Sequence, residues 1–175
     1  MSDAVDVDAA LAQMVEALRP LLTHTDGEVA MVGIRTGGVW VAERLHRELA
    51  LRSRLGALNI NFYRDDFTQV GMHPQVTPSN LPFSVDGTHI ILVDDVLYTG
   101  RTIRAALNEL FDYGRPARVT LAALVARDGR ELPIQADVVG VQLSLSKNQH
   151  IKLNGPEPLE MALATRLGSR IGASD

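Results

Sequence analysis

The most chemically pointed stretch of the chain is Ile90-Ile91-Leu92-Val93-Asp94-Asp95-Val96-Leu97-Tyr98-Thr99-Gly100-Arg101-Thr102. Four apolar residues predict a central strand, two acids stand at its end, and a Thr-Gly-Arg-Thr turn leads into a helix. The start of a helix offers unpaired backbone N–H groups and a partial positive charge, which together suit a phosphate monoester. Gly100 lets the backbone approach such an anion without a side chain in the way. Thr99 and Thr102 carry hydroxyl donors for the same oxygens, and Thr102 is also a candidate helix cap. Asp94 and Asp95, acceptor-only when ionised, suit the 2′ and 3′ hydroxyls of a ribose and would attract magnesium, which prefers oxygen ligands. Taken singly, a pair of acids reads as a solvated strand end and Thr-Gly as a plain loop. The thirteen residues together fit a ribose 5-phosphate. Neither Gly-x-x-x-x-Gly-Lys-Ser/Thr nor Gly-x-Gly-x-x-Gly occurs elsewhere in the chain.

Two further segments carry chemistry in the same style. Val32-Gly33-Ile34-Arg35-Thr36-Gly37-Gly38 predicts a strand, a tight turn and a helix; a nest of N–H groups there can hold a pyrophosphate, with Arg35 adding charge. On its own the segment also reads as an ordinary strand-to-helix connection. Tyr63-Arg64-Asp65-Asp66 opens a long polar stretch, and Arg64 is a candidate to fold over the pyrophosphate; the alternative is a solvated strand end.

The elements that must position these residues follow from hydrophobic spacing. Val7, Leu11, Met14, Val15, Leu18 and Leu22 predict an amphipathic helix, with Asp3 or Asp6 as N-cap and Pro20 casting doubt on the last turn. Strands are expected at Val29 to Ile34, Leu58 to Tyr63, His89 to Val93, Val119 to Val125 and Asp137 to Val141. Helices are expected from Val39 to Leu51 and from about Ile103 to Gly114, with Pro116 just beyond. Phe67 to Gly87 reads as a lid or a small excursion of paired strands. Leu159 to Leu167 is expected to form a helix. Alternating strands and helices imply a parallel sheet covered on both faces, with ligands at the carboxyl ends of strands. One domain, residues 1 to 175, is expected.

Composition excludes several alternatives. With 46% hydrophobic residues among 175, an ordinary core needs no staple. The absence of cysteine removes disulfides, thiolate metal sites and a thiol nucleophile. No secretory pattern or membrane-length apolar run occurs, so a cytoplasmic protein is expected. The formal charge of −4 weighs against broad nucleic-acid affinity. His24, His46, His73 and His150 are isolated, without metal-ligand spacing.

The Val93 to Thr102 string resembles the ribose-phosphate signature of type I phosphoribosyltransferases, in the version found in the PyrR family of pyrimidine operon regulators and uracil phosphoribosyltransferases. Tyr63-Arg64-Asp65-Asp66 and Arg130-Glu131-Leu132-Pro133-Ile134, with Ala136-Asp137 after it, carry the same likeness, which runs from about Val32 to Lys152. The resemblance implies a type I phosphoribosyltransferase-like α/β fold, a mainly parallel sheet flanked by helices with a flexible loop and a small hood. It implies transfer from phosphoribosyl pyrophosphate to uracil, with Mg2+ accompanying that substrate and held at Asp94 and Asp95 indirectly. Arg64, Asp94 and Asp95 become catalytic candidates. Arg35, Thr36, Gly37 and Gly38 become substrate-binding candidates, together with Val96, Leu97, Tyr98, Thr99, Gly100, Arg101 and Thr102. Gly37 stands where the family usually has a second Arg. The hood implies Arg127, Val139, Gly140 and Val141 as base-binding candidates. A homo-oligomer, dimer or higher, follows by analogy. Leader-RNA binding is the rival reading, with Arg127, Arg130, Lys147, His150 and Lys152 as a patch. The chain departs from the regulators, however: Arg19 is the only basic residue of the first helix, and Gly129 and Gln135 replace the usual His and Arg.

Overall fold

A computed structural model describes residues 4–60 and 78–167. Its centre is a five-stranded parallel sheet in the order β2-β1-β3-β4-β5, built from β1 (Val29–Ile34), β2 (Gly56–Leu58), β3 (His89–Leu97), β4 (Arg118–Arg127) and β5 (Val138–Leu143). Helices α1 (Val7–Thr23), α2 (Gly37–Leu49) and α3 (Arg101–Asp112) cover it. A separate antiparallel pair, β6 (Gln149–Asn154) and β7 (Glu160–Thr165), completes the described chain.

The pleat divides the apolar residues between two cores. On β3, Ile91 and Val93 face α1 and α2, while Ile90 and Leu92 face α3. Each run of consecutive apolar residues is therefore buried on both sides, the reason these strands read as unbroken hydrophobic stretches rather than alternating ones. The first core collects Leu11, Met14 and Leu18 from α1, Val41 and Leu45 from α2, and Leu153 and Leu159 from the β6–β7 region. The second collects Ile103, Ala106 and Leu110 from α3 with Leu58, Ile60 and Val85.

At the N-terminus of α1, Asp6 is the cap, its carboxylate accepting from the Ala9 N–H at 2.9 Å. Asp3 lies outside the described residues. Pro20 does not end the helix, which runs to Thr23. Among the described residues the second strand covers Gly56–Leu58; Asn61 to Tyr63 of the expected Leu58 to Tyr63 lie outside them. Of the expected Phe67 to Gly87 excursion, residues 78–87 are described. Asn80 pairs with Ala57 through two 2.8 Å backbone hydrogen bonds at the β2 edge, and the Ser79 hydroxyl accepts from the Asn59 N–H and donates to Glu109.

The largest correction falls at the chain's end. Leu159 to Leu167 does not form a helix; Glu160–Thr165 is a strand, paired antiparallel with Gln149–Asn154. Alternation decides it. Ile151, Leu153, Leu159 and Met161 turn inward onto the first core, while His150 and Lys152 point to solvent. Trp40 of α2 is where this hairpin docks. A Cβ on Gly155 would meet the Trp40 ring at 2.8 Å and Leu159 at 2.6 Å, so the turn lies flat on the indole.

At the end of the sheet opposite the acids, His89 is buried. The Thr25 hydroxyl donates to Leu21 O at 2.7 Å, so it accepts from His89 Nδ1–H at 3.0 Å. Nε2 therefore carries the lone pair and accepts from the Thr120 hydroxyl at 2.7 Å. The neutral ring is fully satisfied. Its pKa is held below the ordinary histidine value by burial first and by Arg118 second, with Asp137 opposing.

Candidate active site

Asp94 and Asp95 lie near the carboxyl end of β3, which continues through them to Leu97. Asp94 is buried, and its Oδ1 accepts from the Asp95 N–H at 2.9 Å; Asp95 Oδ1 accepts in turn from Val96 N–H at 2.9 Å. These short-range bonds fix both carboxylates relative to the strand.

The β1–α2 loop meets the same acids, because β1 is the hydrogen-bonded neighbour of β3, with Gly33 opposite Val93. Three glycines permit the approach. A Cβ on Gly33 would meet Val39 Cα at 2.7 Å, and one on Gly38 would meet Val93 O at 2.6 Å and Asp94 Cα at 3.1 Å. On Gly37 it would collide with the Asp95 carboxylate. The small residue at position 37, where the family pattern has arginine, thus has a physical reason in this chain: α2 begins against Asp95. Thr36 occupies the N-cap of α2 without a side-chain cap bond, and the Arg35–Thr36 peptide is cis. Among the described residues the buried Arg35 Nε has no hydrogen-bond partner, a donor in want of an acceptor beside the loop.

The Thr99–Gly100 turn is the second loop at this edge. Gly100 has φ +95°, a left-handed conformation that glycine adopts without strain, and it is the N-cap of α3. Thr102 is not the cap; it stands inside the first turn. The Thr99 hydroxyl accepts from Arg101 N–H at 3.2 Å. Thr99 O accepts from Glu131 N–H at 3.0 Å and Leu132 N–H at 3.2 Å, and a Cβ on Gly100 would stand 3.3 Å from Ile134. Residues 131–134 therefore brace the Thr99–Gly100 turn from outside. In the sequence they stand out by family likeness alone, with no local signal for this task. Arg101 reaches Glu131 at 3.2 Å on the exposed side.

The base-binding candidates fare less well. Gly140 is wedged between Leu124 O, 2.5 Å from its notional Cβ, and Ala10 of α1, and Val141 lines the same α1 face. Both stand two strands across from Asp94 to Val96 in the ladder, and what they meet there is α1. Val139 faces the α3 core, and it lines a hollow of about 230 Å³ with Tyr98, Arg130, Gln135 and Gln142. Arg127 does sit at the edge bearing the acids, at the end of β4, but it is 8% exposed and its Nη1 and Nη2 are committed to the carbonyls of Gln149 and Ser146. It positions backbone; that commitment argues against direct contact with a base or an RNA phosphate. Arg64, with the rest of Tyr63-Arg64-Asp65-Asp66, and His73 lie outside the described residues.

Among the described residues no group of three or more His, Asp or Glu side chains could hold a metal. The donor set at Asp94 and Asp95 is two carboxylates, all oxygen. It fits magnesium arriving on a polyphosphate that supplies most of its ligands, and does not fit a resident ion.

Residues 6–156 match the family model described as phosphoribosyl transferase domain. A protein of Nitrosococcus oceani named bifunctional protein PyrR is 60% identical over 163 residues, covering 91% of this chain and 92% of the relative. Its namesake in Pseudomonas aeruginosa is 65% identical over 152 residues, covering 86% and 89%. Among solved structures, a hypoxanthine-guanine phosphoribosyltransferase from Bacillus anthracis superposes with a TM-score of 0.65 at 16% identity, covering 82% and 85%. A purine phosphoribosyltransferase from Pyrococcus horikoshii superposes at 0.60 with 23% identity, covering 78% and 82%. At such identities the last two speak for the fold and not for the base.

Proposed function

The chain belongs to the PyrR family of type I phosphoribosyltransferases, and on that ground we propose that it converts uracil and phosphoribosyl pyrophosphate to UMP and pyrophosphate. The observation that supports this most is the convergence on one strand end of twin carboxylates, a glycine-paved helix start at Gly37-Gly38 and a second helix start at Gly100.

Each part has a task. The amide-rich start of α3, with Thr99, Gly100, Arg101 and Thr102, holds the 5-phosphate, and Val96, Leu97 and Tyr98 shape the approach. Asp94 and Asp95 accept from the ribose hydroxyls. The Arg35-Thr36-Gly37-Gly38 loop holds the pyrophosphate, with Arg35 Nε as a buried donor for it. Uracil N1 bonds to the anomeric carbon as the bond to pyrophosphate oxygen breaks, and the N1 proton passes to solvent. Positive charge builds on the sugar and negative charge on the leaving group. The protein contributes position and fixed dipoles rather than a covalent nucleophile. Magnesium, when bound with the substrate, neutralises part of the pyrophosphate charge. Arg64 is proposed to add to that neutralisation.

The double variant Asp94→Asn with Asp95→Asn tests the assignment. Transfer is expected to fall by about three orders of magnitude while the thermal midpoint stays near that of the wild type; wild-type turnover would end the proposal. Pyrophosphate release with uracil, orotate, adenine, hypoxanthine and guanine identifies the base, and a preference for a purine would reject uracil.

The relatives' name, bifunctional, favours a second role, and pyrimidine-responsive attenuation of the pyr operon through leader RNA is the one we propose beside transfer. Lys147, His150 and Lys152 are exposed along the start of the hairpin, with Arg130 exposed beyond β4. Arg19 of α1 is engaged by Glu16 at 3.2 Å. With so few phosphate contacts available, affinity is expected to be modest and strongly salt-dependent. Tight, UMP-enhanced retardation of the leader in a gel at physiological salt would show that estimate to be too low.

A further inference from the structure

Tyr98, in the phosphate turn, is 41% exposed, and its ring is held between two features. The Arg127 guanidinium lies over it at 4.1 Å from Cζ to the ring centroid, within the range of a cation–π contact. On Gly129, with φ +114°, a Cβ would collide with the same ring. Arg127 then continues away from the turn, Nη1 donating to Gln149 O at 2.9 Å and Nη2 to Ser146 O at 3.2 Å. Asp128 adds a bond from Leu145 N–H at 2.9 Å, and Gln149 closes the loop through Ser146 N–H to its Oε1 at 2.9 Å. Among the described residues no carboxylate pairs with Arg127, whose Nε has no partner at all. Burying a guanidinium this way costs stability, and a purely structural link between two loops would be made more cheaply by apolar contact.

We propose that Arg127 is a positioning residue that couples the phosphate turn, through Tyr98, to loop 144–149 and the β6 strand behind it. A phosphate seated at Thr99–Gly100 fixes Tyr98, Tyr98 fixes the guanidinium plane, and the guanidinium holds the two carbonyls that set the loop. Filling of the sugar-phosphate site is thereby communicated to the edge of the molecule carrying Lys147, His150 and Lys152. The inference rests on the phosphate assignment made above.

Hydrogen exchange with ribose 5-phosphate as the probe separates the two claims. In the wild type the probe is expected to slow exchange in residues 98–104 and also, by about fivefold or more, in residues 144–154. In Arg127→Met the first protection persists and the second is lost. Tyr98→Leu, at a half-exposed position that threatens folding little, is expected to lose the second protection as well. Protection of 98–104 alone in the wild type, or equal protection of 144–154 in both variants, overturns the coupling. No protection of 98–104 in the wild type overturns the phosphate assignment, and the coupling with it. In steady state, Arg127→Met should leave KM for phosphoribosyl pyrophosphate within about twofold; a rise of about tenfold would place the residue in the donor site and overturn its role as a coupling residue.

Discussion

The β3–α3 turn and the β6–β7 hairpin face the same edge of the sheet and are built on opposite plans. The turn is local: strand, acids, glycine and helix start follow one another within thirteen residues, and one outside segment, residues 131–134, braces it. The hairpin owes its position to distant residues, Trp40 at Gly155 and Arg127 at Ser146 and Gln149. Sites that handle an invariant anion can be short and rigid. The hairpin is held by separable contacts.

The largest test of that contrast is at the acids. Gly37→Ala is expected to displace the Asp95 carboxylate and lower kcat/KM by about a hundredfold, with the thermal midpoint little changed because a side-chain tip can swing away. Near-normal activity would mean that the loop does not depend on the glycine. Next comes Trp40→Ala, which should cost about 2–3 kcal/mol in denaturant unfolding, below the range for a fully buried Trp because Trp40 is only partly buried. Exchange in residues 149–165 should rise while residues 90–104 stay protected. If both regions loosen together, the two are one unit and the contrast fails.

A smaller effect tests the far end of β3. The folded pKa of His89 lies below its unfolded value of about 6.5, so the unfolded chain binds the proton first as pH falls. Its stabilising contribution is fully present above pH 6.5 and is lost as pH drops from there through the folded pKa. Comparing denaturant midpoints at pH 7.5 and 5.5 for the wild type and His89→Gln should show a shallower loss in the variant. The smallest effect is expected from Glu131→Ala. It removes an ion pair with Arg101 in which both partners are at least half exposed, so stability should change by less than about 1 kcal/mol. The Thr99 carbonyl keeps its backbone donors, so transfer should persist; a large loss of activity would make the pair part of the phosphate site.

The same contrast explains what was legible in the sequence. Ile90 to Val93, Val29 to Ile34 and Val119 to Val125 announce buried strands because each is an apolar run with turn chemistry at its end, and the acids and Gly100 sit inside that pattern. The last strand is masked in the sequence because Ala162 and Ala164 favour helix, although Leu159, Met161 and Leu163 recur at every second position. Arg127 was located by family likeness but not in its task, since its partners lie 19 and 22 residues away and are carbonyls, which leave no trace in side-chain identity. Gly140 and Val141 look like any end of a parallel strand until α1 is seen to cover them.

Because Gly33 stands opposite Val93 in the ladder, the strands that lead into the two loops are hydrogen-bonded neighbours, about 4.8 Å apart in the sheet. Neither loop can drift from the other without unzipping the middle of the sheet. The fold thus acts as a gauge block: on the proposed chemistry it measures the distance between the two charged ends of one donor, favouring a sugar phosphorylated at both over one phosphorylated at either.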